Sequence, residues 1–302
     1  MNIYHINVND YNAIDKKLVC CIGYFDGLHL GHQELIKETN VLAKKLNVES
    51  GLITFDPDPW VVTKNVENVK HITDYNSKIK LLELFNINNL IVLNFTKEMS
   101  KLSSKHFIDL LLNNIDLKGL VYGFDFRYGY MGSGDAKTIL QDASTIELIE
   151  VNSYNDEIGK ISSSRIEQEL LNGDIIKVNT MLGYHYHIVG KVDLEEKLNK
   201  QTVSIMYNDF IVLPKSGIYY GYTFINNNKY KIIIFIGSID AFNHKDKNEV
   251  VVYINDYNKQ VNDEEMTIYF LDLFENEQKY DTINDLIKQI HYYNNYMEEV
   301  KI

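Results

Sequence analysis

The sequence predicts an α/β protein in two parts: a parallel sheet covered by helices, then a second, antiparallel β domain closed by one helix. Three observations carry that expectation. Through about residue 180, short apolar runs alternate with segments of helical period. The runs are apolar on both sides, as strands covered by helices must be. Beyond residue 180 the texture changes to short β-branched and aromatic runs separated by Asn, Gly, Lys and Asp. At the first strand-to-helix junction stands GYFDGLHLGHQ, residues 23–33, rich in glycine and histidine.

The elements follow in order. LVCCIGYF (18–25) is a buried strand delivering a glycine-containing turn, and GHQELIKETNVLAKKL (31–46) is a helix with Leu35, Leu42 and Leu46 near one face. SGLITFDPDPW (50–60) is a strand ending in a turn signal. LLELFNI (81–87) reads as a helix, NLIVLNF (89–95) as a strand, FIDLLLNNIDL (107–117) as a helix, and KGLVYGFDF (118–126) and IELIEV (146–151) as strands. SSSRIEQELLNGD (162–174) closes the region as a serine-capped helix ended by Gly173. HYHIVGKV, QTVSIMY, DFIVL, GIYYGYTFI, KYKIIIFIG, EVVVYIND and EEMTIYFLDL then supply seven candidate strands, enough for an antiparallel barrel or sandwich. DTINDLIKQIHYYNNYMEEV is a closing helix capped by Asp281 or Thr282. The boundary is expected between Asp174 and His185, which gives domains of 1–180 and 181–302.

A chain of 302 residues with 45% apolar content holds about two domains of core, which excludes disorder and a disulfide-stapled mini-protein. Thirty basic against 42 acidic side chains leave a net charge of -12, with no long field of Lys and Arg to hold nucleic acid or an anionic membrane. A nucleotide-sized anion is still accommodated, because a nest of backbone N–H groups holds it whatever the global sign. Cys20 and Cys21 are adjacent inside an apolar run, a pattern of neither zinc sites nor disulfide frameworks, so a reducing cytoplasm is expected. The N-terminus shows no signal-peptide pattern, and no run approaches the roughly 20 apolar residues that span a bilayer. Oligomeric state is left open between monomer and weak oligomer.

In GYFDGLHLGHQ, Gly23, Gly27 and Gly31 permit tight turning and close backbone approach, while His29 and His32 stand three apart where the helix begins. A phosphate chain placed there gains the free N–H groups of the first helical turn as well as two imidazoles. Neither GxGxxG nor a following GKS or GKT is present, which excludes the dinucleotide fingerprint and the Walker loop.

GYFDGLHLGH resembles the nucleotidyltransferase signature of the prokaryotic FAD synthetase family, the bifunctional riboflavin kinase/FMN adenylyltransferase proteins. TFDPDPW (54–60), YGFDFRYGYMGSGD (122–135) and ISSSRI (161–166) follow in family order. The resemblance implies a Rossmann-like nucleotidyltransferase domain followed by a riboflavin-kinase-like β-barrel and a terminal helix. It implies attack of the FMN phosphate on the α-phosphorus of ATP, giving FAD and pyrophosphate, with magnesium held mainly by the substrate phosphates. The broader signature group includes cytidylyltransferases and pantetheine-phosphate adenylyltransferases, and TFDPDP with GFDFRYG favours the flavin substrate.

The same resemblance distributes roles. ATP contacts fall to Gly23, Phe25, Asp26, Gly27, Gly31, Ser162 and Ser163, and catalysis to His29, His32, Ser164 and Arg165. His32 is the transition-state partner, and both imidazoles bind phosphate more strongly if the anion protonates them. Each serine has capping as its plainer alternative; Arg165 is a pyrophosphate clamp. Glu167 stands where the family's S-S-T-R-I-R pattern ends in arginine, removing a cation from beside the triphosphate. Flavin contacts fall to Phe55, Asp56, Asp58, Phe124, Asp125, Phe126, Arg127 and Tyr128, with Trp60 near the ring. Asp58 replaces a common histidine, Arg127 pairs with the FMN phosphate or with a carboxylate holding its loop, and Phe124, Phe126 and Tyr128 have core packing as their alternative.

In the second domain the family's G-F-P-T-A-N segment is replaced by LEEKLNKQTVSIMYN (194–208), leaving Thr202 as an imperfect stand-in for a metal-bound threonine. Aligning INDYN (254–258) puts Val251 at the family's catalytic glutamate and Tyr253 at its histidine, with Glu249 one same-face position upstream. The expectation is therefore an FMN adenylyltransferase whose kinase half is degenerate, with a fully bifunctional enzyme as the alternative and a flavin-binding or flavin-sensing protein without catalysis as the second.

Overall fold

A computed structural model describes residues 1–193, 201–238, 248–257, 259, 261, 265–276, 280 and 282–297. They form two compact units, residues 1–69 with 75–162 and residues 70–74 with 163–302. The first unit runs β1 (Asn2–Ile6), β2 (Ile14–Ile22), α1 (Leu30–Leu46), β3 (Glu49–Asp56), α2 (Pro59–Lys64), α3 (Tyr75–Leu84), β4 (Asn89–Asn94), α4 (Ser104–Asn114), β5 (Ile115–Gly123), α5 (Ala136–Asp142) and β6 (Glu147–Val151).

The apolar runs form one wholly parallel Rossmann-like sheet of order β1-β4-β3-β2-β5-β6. From β2 the chain builds outward through β3 and β4, then returns to the other side of β2 for β5 and β6. The carboxyl end of β2 is thus the topological switch point, where open α/β sheets gather ligands. Cys20 and Cys21 are fully buried in the middle of this sheet and free of disulfides. Burial raises both thiols, Cys21 to about 12.

FIDLLLNNIDL is not helical to its end. α4 stops at Asn114 and β5 begins at once with Ile115. The Asn114 amide takes over the junction, donating to the carbonyls of Asp10 at 2.9 Å and Leu110 at 3.0 Å.

The second unit opens with α6 (Ser163–Asn172) and α7 (Ile175–Leu182). Gly173, at φ 83°, lets α6 end as expected, with the Asp174 N–H bonded to the Glu169 carbonyl at 3.0 Å. Six strands follow: β7 (His187–Asp193), β8 (Thr202–Tyr207), β9 (Gly217–Ile225), β10 (Asn228–Gly237), β11 (Glu249–Ile254) and β12 (Glu265–Asn276). They close an antiparallel barrel of order β10-β11-β8-β7-β12-β9, and α8 (Ile283–Met297) follows. DFIVL is not a seventh strand. Its backbone is satisfied by a turn and one bridge: Ile211 N–H bonds the Asn208 carbonyl at 3.0 Å and Val212 N–H the His71 carbonyl at 2.9 Å. Thr282 caps α8, its hydroxyl accepting the Asp285 N–H at 3.2 Å; Asp281, the other expected cap, lies outside the described residues.

Candidate active site

β2 ends at Ile22, and the chain between it and α1 turns through left-handed backbone at Phe25 (φ 58°), Gly27 (φ 74°) and Leu28 (φ 38°). Gly27 takes that conformation freely; Phe25 and Leu28 are held in it by their surroundings. Both side chains are buried, and Gln33 Nε2 donates to the Leu28 carbonyl at 2.9 Å. The Tyr24 carbonyl accepts two bonds, from Thr54 Oγ1 at 2.9 Å and from Lys78 Nζ at 3.0 Å.

This turn delivers His29 as the N-cap of α1. Its Nδ1 accepts the His32 backbone N–H at 3.4 Å, and the two imidazoles stack at 3.7 Å with 16° between their planes. An Nδ1 that accepts leaves the proton on Nε2 in the neutral ring, where it can be donated to an anion. Phe25 packs against His32 at 5.0 Å. His32 Nδ1 is buried without a hydrogen-bond partner among the described residues.

Both rings are held neutral. Burial first, and the cation of Lys160 second, draw His29 down to about 4. His32 is pushed well below the ordinary histidine value by burial, then by His29, Lys78 and Lys160. Without a bound anion, then, neither imidazole carries a charge.

The other residues read from the motifs fall in several places. Gly23 and Asp26 are half-buried and Gly27 is buried in the turn; Gly31 lies in the first turn of α1. Asp58 is buried as the N-cap of α2, accepting the Trp60 N–H at 2.8 Å, so its carboxylate is engaged locally. Trp60 is exposed under the Lys64 ammonium, 3.6 Å from its ring centroid. Phe55, at the end of β3, packs edge-on against Phe95 at 5.6 Å, and Asp56 is exposed.

In the loop after β5, Phe124 and Asp125 are exposed and both engage Lys160, the first through its ring at 4.9 Å and the second in an ion pair. Arg127 pairs with Asp135 at 3.5 Å, which is the loop-holding carboxylate among its two expected partners. Tyr128 is buried, stacked on Phe126 at 5.5 Å and bonded to Asp142 at 2.9 Å, so its ring belongs to the core. Ser162 ends the first unit. Ser163, Ser164 and Arg165 form the opening turn of α6 in the second, where Ser164 and Glu167 are exposed.

Sequence reasoning passed over Thr54, Lys78 and Lys160. Lys160 adjoins ISSSRI and could have been found from it; a single lysine in the α3 region carries no signal.

In the barrel, β8 and β11 pair Ser204 with Val251 and Thr202 with Tyr253. Val251 and Tyr253 pack with Phe235, Tyr280, Leu286 and Ile290. Residues 194–200, the front of the divergent segment, lie outside the described residues.

These features define a two-unit protein, a Rossmann-like sheet with a stacked histidine pair at its switch point and a closed barrel with a C-terminal helix. The FAD synthetase family model matches residues 11–165 and the riboflavin kinase model residues 182–300. The chain belongs to the FAD synthetase family, with the riboflavin kinase module as its second half. It is 30% identical to a bifunctional riboflavin kinase/FMN adenylyltransferase of Listeria monocytogenes over 94% of this chain and 92% of that one. It is 31% identical to a protein of the same description from Bacillus subtilis, over 91% and 89%. A crystal structure described as a macrolide-efflux protein from Streptococcus pneumoniae superposes with a TM-score of 0.89 over 100% of both chains, at 25% identity. No helix of the described residues is long and apolar enough to cross a membrane.

These matches overturn one expectation. Thr202, Val251 and Tyr253 pointed to a barrel without kinase activity, yet the riboflavin kinase model spans the barrel and the relatives are described as bifunctional. The strands that carry these positions are paired in register, Thr202 with Tyr253 and Ser204 with Val251.

Proposed function

We propose that this protein makes FAD in two steps, phosphorylating riboflavin to FMN with residues 181–302 and transferring AMP from ATP to FMN with residues 1–180. The observation that carries the second step is the stacked pair of neutral imidazoles at the N-terminus of α1, at the switch point of the sheet. Anion binding there draws on the first-turn N–H groups and the positive end of the helix dipole. The His29 Nε2–H donates to a phosphate oxygen, and His32 stacks against that ring from within the turn. Donors fixed before the reaction stabilise charge developing on the departing pyrophosphate without reorganising.

Magnesium belongs to the ATP substrate, whose phosphates offer the hard oxygen donors it prefers. Among the described residues no cluster of three or more His, Cys, Asp or Glu forms an independent metal site. Phe55 and the 124–127 loop, at the ends of β3 and β5 on either side of β2, are the proposed flavin walls. Ser162, Ser163, Ser164 and Arg165 are the proposed contacts to the nucleotide phosphates. For the kinase step, the hydroxyls of Thr202 and Ser204 stand on the strand row that faces Tyr253 and Val251. Two buried, free thiols fit a reducing cytoplasm.

The test is incubation of the purified chain with magnesium-ATP and either riboflavin or FMN. FMN from the first and FAD from the second are expected. Absence of FAD from FMN ends the adenylyl-transfer reading, and absence of FMN from riboflavin ends the kinase reading.

A further inference from the structure

Lys78 lies outside every motif that relates this chain to its family, yet its ammonium is placed beside the phosphate turn. The residue is 6% exposed. Its Nζ donates to the Tyr24 carbonyl at 3.0 Å and lies 4.6 Å from the centroid of the Tyr24 ring. A buried ammonium is strongly disfavoured unless anions or dipoles compensate it. Here burial lowers the lysine's proton affinity, while Asp26, Asp56 and Asp58 oppose that effect. The carbonyl that receives the ammonium immediately precedes Phe25, the first of the left-handed residues that aim the chain into α1. Thr54 supplies an uncharged bond to the same oxygen.

We propose that Lys78 is a positioning residue for adenylyl transfer: its ammonium clamps the Tyr24 carbonyl and so fixes the turn that sets His29 and His32 at the start of α1. The inference rests on the reading of this site as the adenylyl-transfer centre. A side chain on α3 fills this role because α3 packs against the turn at residues 26–28, so a cation there fixes the loop without occupying the space a substrate needs. A second consequence follows from charge. His32 is surrounded by His29, Lys78 and Lys160, and the Lys78 ammonium by Asp26, Asp56, Asp58 and Tyr24. Removing the Lys78 charge therefore makes His32 easier to protonate, whereas loosening the clamp alone does not.

Three variants of the full chain separate these effects: Lys78→Met removes bond and charge, Lys78→Arg keeps both, and Thr54→Val removes only the neutral bond. Misplacement of a catalytic constellation by about 1 Å costs on the order of 10²-fold in rate. Lys78→Met is expected to lower kcat for FAD formation by about that factor with KM for ATP less affected, and Lys78→Arg to recover most of the loss. In NMR titrations of the ligand-free protein, the His32 ring should titrate at higher pH in Lys78→Met, return toward wild type in Lys78→Arg, and stay unmoved in Thr54→Val.

A Lys78→Met enzyme with wild-type kcat, a Lys78→Arg enzyme no better than Lys78→Met, or an unmoved His32 titration overturns the proposal. If Lys78→Met does not fold, Lys78→Gln, which removes the ammonium but keeps a polar side chain, decides: wild-type kcat in that variant refutes the clamp. A wild-type protein that forms no FAD ends the adenylyl-transfer reading, while the substrate-free His32 titration still decides whether the Lys78 ammonium acts on His32.

Discussion

His29 makes the stability of the first unit depend on pH in a direction and size that follow from its surroundings. In the unfolded chain the ring titrates near 6.5; in the folded protein burial and Lys160 draw it down to about 4. Between those values the unfolded chain binds the proton more readily, so acid favours unfolding. The contribution is intact above pH 6.5 and is lost as pH falls toward 4, and the full difference is worth roughly 3 kcal/mol. From pH 8 to pH 5 the loss is about 2 kcal/mol by the same linkage.

The perturbation is His29→Asn, which keeps a helix-capping side chain but removes the titrating ring. The variant also removes the ring that lowers the proton affinity of His32, which acts in the same direction. Urea unfolding followed by fluorescence reports the right unit, because Trp60 is the chain's single tryptophan and lies in the unit that contains His29. The stability difference between variant and wild type should move in favour of the variant by about 2 kcal/mol between pH 8 and pH 5. Curves that stay parallel to within about 0.5 kcal/mol, the scatter expected for uncoupled effects, would refute the account of this buried pair.

Two further outcomes are expected. His32→Ala should lower the rate of FAD formation from FMN by about 10²-fold, the usual cost of one lost transition-state donor, as measured by steady-state assay; an unchanged rate removes this ring from the mechanism. Gly221→Ala would set a Cβ 1.8 Å from the Tyr269 carbonyl oxygen across the β9–β12 pairing. Relief requires the strands to part, at a cost of about 3 kcal/mol or more. Thermal melting by circular dichroism checks it, and a variant that melts with the wild type contradicts the close approach.

The parallel sheet was readable because β3 and β4 each bury five consecutive residues, and runs apolar on both sides have few other solutions. β1 was not, since NIYHI is mostly exposed along an edge and shows no alternation. α4 and β5 were misdivided for a different reason: apolar residues continue across the junction, and the change of period is set by one asparagine side chain satisfying the backbone. The glycine-histidine turn stood out because all its essential residues are consecutive. Its supports did not, because Thr54 comes from β3 and Lys78 from α3, and they meet Tyr24 only through the folded sheet.

The barrel shows why a motif comparison can misjudge a β domain. A family glutamate replaced by Val251 reads in sequence as a missing base, because the comparison looks along one strand. In an antiparallel barrel, chemistry is assembled across strands, and directly opposed residues project from the same face. The β8–β11 register sets the hydroxyls of Ser204 and Thr202 beside Val251 and Tyr253, so this row carries three hydroxyl groups although its carboxylate is gone. The substitution at Val251 also packs with Leu286 and Ile290 of α8, which fastens the closing helix to that row. What Val251 reports is therefore the polarity of one position, while the chemical character of the row around it is set by side chains whose alignment only the strand pairing supplies.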